Sequence, residues 1–170
     1  MKILNKIPRW EKIIPVYSIV VVMIYTWSLL HFFWRLPSWL NFSTLGQVAI
    51  FFSYMVTVNF FESVLVLLAL ILFGLILPAN WFMDAFVTKG SLLALLGLGG
   101  MMVFNQYLRN DLIFFAILIV CVVPVAFALD RVAFIRKILE EIAGRMTVFL
   151  YLWMPISAIA VLTMLVRNIF

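Results

Sequence analysis

The sequence is poorest in the residues that most chemistry requires. It has one cysteine, Cys121, and one histidine, His31. A lone thiol excludes an intrachain disulfide framework and dithiol redox chemistry. One imidazole excludes bis-histidine haem ligation and ordinary zinc coordination, so the sequence asks for no metal and no cofactor. Charge is scarce as well: Asp, Glu, Lys and Arg make up 11% of the residues, against about a quarter in soluble domains. No glycine-rich phosphate loop is present, because Gly97, Gly99 and Gly100 fall inside an apolar run. Ser28 and His31 share a helical face, but no nucleophile-elbow sequence or oxyanion donor accompanies them.

What is abundant is apolar surface, at 67% of residues. It falls into five runs, Ile13–Trp34, Leu45–Leu77, Ser91–Leu108, Leu112–Leu129 and Thr147–Val166, each of at least the roughly 18 residues that a bilayer crossing needs. The expected fold class is an all-α integral membrane protein, a five-helix transmembrane bundle in one domain over residues 1–170. No repeat, low-complexity tract or linker divides the chain. Lys2, Lys6 and Arg9 resemble the basic start of a signal peptide, but the run that follows is long and lacks a small-x-small cleavage site. It reads as a retained first helix.

Orientation follows from the basic residues, which collect in short cytoplasmic loops. Five crossings with the N-terminus inside place Lys2, Lys6, Arg9, Lys12, Lys89, Arg131, Arg136, Lys137 and Arg145 in the cytoplasm and only Arg35, Arg109 and Arg167 outside. Splitting the second run into two crossings would send the Arg131–Arg145 group outward, against the rule. Trp10 and Trp81 then fall at the inner boundary and Trp34 and Trp39 at the outer one, where indole rings prefer to sit. This bias suits a bacterial cytoplasmic membrane. The net charge of +5 flanks hydrophobic runs and forms no aromatic-studded patch, so it points to the lipid bilayer and not to nucleic acid.

Two cytoplasmic pieces, residues 1–12 and 130–146, read as amphipathic interfacial helices. In the second, Val132, Ile135, Leu139 and Ile142 oppose Arg136, Lys137, Glu140 and Glu141. Ion pairs four residues apart, Arg136 with Glu140, Lys137 with Glu141 and Glu141 with Arg145, would each add only tenths of a kcal/mol. Pro124 and Pro155 are expected to bend the fourth and fifth helices, each freeing a carbonyl that Ser157 or a neighbouring helix satisfies.

The second run is too long for one crossing, since its 33 residues would extend about 50 Å against a hydrocarbon core of roughly 30 Å. The surplus, residues 45–57, is expected to tilt, to lie along the outer leaflet, or to meet a protein partner or a second copy. A second contact surface is the Gly90, Ala94 and Gly97 face, whose small-residue spacing suits close helix packing.

Two polar clusters are candidates for function. In the five-crossing frame His31, Arg35, Asn59, Glu62, Asn105 and Gln106 share one depth near the outer leaflet, with Arg35 or a protonated His31 as partner to Glu62. The plainer reading is mutual neutralisation and ordinary polar packing; the sharper one is a proton or anion site. Asn80, Asp84, Asp130 and Arg131 form a secondary, inner cluster of charges at a lipid boundary.

The functional expectation is a non-enzymatic accessory or assembly subunit of a larger membrane complex, because no catalytic set exists and apolar surface is left over. The alternative is a small transporter or channel component using His31, Arg35 and Glu62. A membrane enzyme built on Asp84 and Asp130 ranks below both.

Overall fold

The computed structural model describes residues 8–77, 82–107 and 112–169. These fold into five α-helices: α1 (Trp10–Phe42), α2 (Leu45–Ile76), α3 (Phe86–Tyr107), α4 (Leu112–Asp130) and α5 (Ala133–Ile169). Among the described residues α1, α2, α3 and α5 are each long and apolar enough to cross a membrane. The protein is thus a helical bundle of membrane-spanning character.

Local chemistry sets the helix ends. Between α1 and α2 the Ser43 N–H donates to the Trp39 carbonyl, closing α1. Thr44 and Gln47 then form a reciprocal capping box that starts α2, each side chain accepting from the other's backbone N–H. Between α4 and α5 the chain turns through Arg131 and Val132, whose amides reach back to Ala128 and Leu129. Both reversals are too short to separate their helices, so consecutive helices lie antiparallel.

The first helix is the hub, packed on three sides by α2, α3 and α5, while α4 lies outside against α3 and the edge of α5. Half of the most apolar stretch of α1 is buried, against 22% for α2 and 17% for α5. Leu65, Leu68 and Leu72 of α2 and Ile159, Leu162 and Leu165 of α5 are exposed. A helix that is apolar on every side and buried on one suits a lipid environment on the other.

Helix lengths differ from the expected spans. The sequence ends the first crossing at Trp34, yet α1 continues to Phe42 through Pro37. This extension gives residues 45–57 a partner within the chain. Phe32 packs against Phe52 at 5.4 Å, and Trp39 lies between Phe32 and Phe51, each ring pair also 5.4 Å apart. The surplus of the second run is therefore one arm of a long antiparallel hairpin, continuous with α2 and not a separate stretch.

In the segment expected as an interfacial helix over 130–146, residues 133–146 are not a separate element. They are continuous with the last crossing in the 37-residue α5. The segment's apolar stripe is divided: Leu139 is buried in the bundle with its neighbour Ala143, whose carbonyl accepts from Ser18 Oγ of α1 at 3.1 Å, while Val132 and Ile142 remain exposed. Arg136 pairs with Glu140 and Arg145 with Glu141, as the spacing implies; with Glu141 so engaged, Lys137 has no ion pair to it. Of the other amphipathic piece, residues 1–7 lie outside the described residues.

The Gly90, Ala94 and Gly97 face divides in two. A Cβ on Gly90 would meet Val16 at 3.1 Å, and Ala94 is buried, so this half packs closely on α1. Among the described residues nothing lies within 4 Å of a Cβ on Gly97. Gly97 borders a groove instead of a helix.

Candidate functional site

The outer cluster expected from the sequence is split into three. Antiparallel packing of α1 and α2 sets the register: Phe32 lies beside Phe52, and Ser28 Oγ donates to Asn59 Oδ1 at 2.8 Å. Arg35 is three residues tipward of Phe32, whereas Glu62 is ten residues down α2 from Phe52. At 1.5 Å per residue they are roughly 20 Å apart along the helices, so the expected Glu62–Arg35 pair does not form. The physical reason is that α1 continues to Phe42 and pairs with the start of α2 as one hairpin, which carries Arg35 toward its tip and leaves Glu62 well below it.

What the fold does bring together is Glu62, Ser28 and Asn105. With Ile24, Trp27, Leu65 and Met101 they line a cavity of about 470 Å³ between α1, α2 and α3. Glu62 is exposed and, among the described residues, makes no hydrogen bond or ion pair. Asn59 stands behind this cavity, 2% exposed, its Oδ1 held by Ser28 and its Nδ2 unpartnered. His31 and Gln106 are in a neighbouring cavity of about 220 Å³ with Trp27, Leu30 and Trp34. There the His31 ring stacks on Trp27 at 4.4 Å, and Nδ1 lies 3.0 Å from the Trp27 carbonyl.

A second cavity of about 320 Å³ adjoins the Glu62 cavity along the bundle, with Val66, Leu98 and Met101 bordering both. This lower part is lined by Ala69, Leu70 and Phe73 of α2, Leu93, Ala94 and Gly97 of α3, and Val122 and Val123 of α4. Together they make one groove between α2 and α3, polar at the Glu62 end and apolar beyond it.

The inner cluster is rearranged more thoroughly. Asn80 lies outside the described residues. Asp130 pairs with Lys89 across 3.4 Å, both side chains nearly buried at 12% and 13% exposure. The Lys89 ammonium also stands 5.1 Å over the Phe127 ring. Asp84 is exposed, and its backbone carbonyl, not its carboxylate, is approached by Lys12 Nζ at 3.5 Å. Arg131 is exposed in the turn beyond α4. No hydrogen bond or ion pair among the described residues joins Asp84 to Asp130, which is what a carboxylate pair would need. The pairing of Lys89 is visible only in the structure, though its place one turn into an apolar helix is the sequence signal that it needs an anion.

A set of hydroxyls in the core was not anticipated. Tyr25 OH donates to Ser157 Oγ at 2.6 Å, with the Val56 carbonyl 3.4 Å from the same hydroxyl, tying α1 to α5 and α2. Ser157 Oγ donates to the Trp153 carbonyl, so it does not serve the carbonyl of Tyr151 that Pro155 frees. Tyr17 and Ser63 meet at 3.2 Å. Tyr17, Ser18 and Tyr25 interrupt the apolar run of α1, with Ser18 and Tyr25 two turns apart on one face, a pattern legible in the sequence.

No group of three His, Cys, Asp or Glu side chains is placed to hold a metal ion among the described residues. Neither a family model, nor a curated protein, nor a solved structure matches this chain.

Proposed function

We propose that this chain is a five-crossing membrane protein, N-terminus inside, that works by association: an accessory or assembly subunit of a larger complex in a bacterial cytoplasmic membrane. The observation that carries the reading is the outer end of the α1–α2 hairpin. His31 and Gln106 share a cavity close to the end of α3, and Arg167 near the end of α5 lies against Tyr54 at 5.6 Å. Among the described residues only 35–51 continue past that level, projecting about 12 Å. The interlocked rings of Phe32, Trp39, Phe51 and Phe52 stiffen this tip, and Phe33, Trp34, Leu40, Phe42 and Leu45 are exposed on and around it. A rigid projection with large exposed apolar side chains is the anatomy of a contact surface.

A photo-crosslinking residue at Phe42, activated in native membranes, is expected to capture one stoichiometric protein, and mild-detergent extraction to recover the same species. A chain that crosslinks only to lipid and runs as a partner-free monomer sinks the reading.

The transport alternative draws support from the carboxylate in a cavity. It is weaker, because beyond Glu62 the groove wall is Val66, Ala69, Leu70 and Phe73, which offer an ion no ligand. Proton flux in proteoliposomes that is lost in Glu62→Gln would favour it.

A further inference from the structure

We propose that the groove between α2 and α3 receives a transmembrane helix of the partner protein, and that this helix carries one lysine or arginine whose cation seats against Glu62. The proposal rests on the association reading above and names the chemistry of the partner.

Three observations meet on one face. First, α2 and α3 scarcely touch, and the groove between them extends from Glu62 to Phe73, about 16 Å along α2. Second, small residues border it: Ala69 and Gly97, with open space among the described residues where a Gly97 side chain would be. Helices in lipid associate through such small residues, because these let backbones approach closely enough for dispersion contacts. Third, Glu62 opens into the groove beside Ile24 and Trp27, near the midpoint of α1, without an ion pair among the described residues. Ionisable residues in membrane segments characteristically pair with one another or face water.

Charge complementarity selects the occupant. An acyl tail or a wholly apolar helix fills the groove but leaves the carboxylate uncompensated. In a zwitterionic phospholipid the phosphate comes between tail and ammonium, so a tail lying in the groove would bring an anion to Glu62 first. A parallel second copy offers no described cation at this depth. Arg35 is on the projecting tip, and Arg167 is level with Tyr54, eight residues tipward of Glu62. Lys89 is engaged by Asp130 at the other end. A side-chain ammonium or guanidinium on a neighbouring helix reaches the site at the end of a flexible apolar stem.

The test uses the full chain in phosphatidylcholine vesicles, with a fluorescent donor at Lys137→Cys in a Cys121→Ser background. Acceptor-labelled polyleucine helices carry either one central Lys or none. The Lys helix is expected to associate about tenfold more tightly than the all-Leu helix, the scale of an interhelical polar contact. Glu62→Gln should remove that preference, and Gly97→Leu, which fills the groove away from the charge, should weaken both helices. Charge reversal guards against misfolding: Glu62→Lys should select a Glu-bearing helix over the Lys-bearing one. Equal association of Lys and Leu helices, a preference that survives Glu62→Gln, or no reversal in a monodisperse Glu62→Lys chain overturns the proposal. So does a retained phospholipid that excludes both helices. These outcomes are separate from crosslinking at Phe42, so the partner reading survives if the groove assignment fails.

Discussion

Gly74, Gly90 and Gly97 all sit inside membrane-length helices, yet their surroundings assign them opposite behaviour. A Cβ on Gly74 would lie 2.7 Å from Phe82 Cδ1, and the Phe82 ring is fully buried against Phe73, Phe86 and Phe127. Alanine gains about 1 kcal/mol over glycine in a helix, while overpacking of a tight core costs roughly 1–3 kcal/mol. Gly74→Ala is expected to lower the thermal midpoint in detergent, whereas Gly97→Ala, facing open space, should leave it unchanged or raise it. A Gly97→Ala chain that loses stability would contradict the groove. The Lys89–Asp130 pair supplies a second residue-level prediction. Removing one partner strands a nearly buried charge, at about 3–5 kcal/mol, while replacing both with apolar residues is close to neutral. Lys89→Met should therefore destabilise more than Lys89→Met with Asp130→Leu, a difference readable in denaturant unfolding.

Among elements, α1 holds the bundle together because it is the most buried membrane-length helix among the described residues and packs on three neighbours. Tyr25 is its central tie, 1% exposed, bonded to Ser157, 3.4 Å from the Val56 carbonyl and tilted against Trp153 at 4.6 Å. Hydrogen bonds between membrane helices average about 0.6 kcal/mol. Tyr25→Phe, which keeps the ring, should cost on that order, and Tyr25→Ala several-fold more through the lost packing. A ring-preserving change as damaging as the truncation would mean the hydroxyl network dominates. The continuity of α5 is tested separately. Amide exchange in micelles should show residues 133–169 protected as one helix, with exchange fastest at its ends; a fast-exchanging break near 146–147 would restore the separate interfacial helix.

For the whole molecule, the uneven helix lengths matter more than any single contact. The 37 residues of α5 and 33 of α1 extend about 55 and 50 Å, against about 33 Å for α3. The bundle therefore has an extended α5 at one end and the α1–α2 tip at the other. With the N-terminus inside, an impermeant thiol reagent should label Asn41→Cys from outside in intact cells and Lys137→Cys only after lysis, both in a Cys121→Ser chain. The opposite pattern would invert the proposed orientation, and with it the side from which a partner meets the tip.

The amino-acid sequence by itself determined the helical class, the five apolar elements and about half of their boundaries. Apolar run length is a local property that lipid reads directly, and α2 begins at Leu45 as the run does. It also revealed Arg136–Glu140 and Glu141–Arg145, because pairs four residues apart need only a helix to meet. The tertiary structure alone decided which polar groups share a site. Lys89 meets Asp130 and Ser28 meets Asn59 across separate helices, and such contacts depend on the register and rotation of one helix against another. A run that is apolar on every side encodes neither. The same ambiguity makes Arg35 and Glu62 equivalent in depth by sequence, whereas the common extension of α1 and α2 puts them roughly 20 Å apart and leaves the carboxylate facing an open groove.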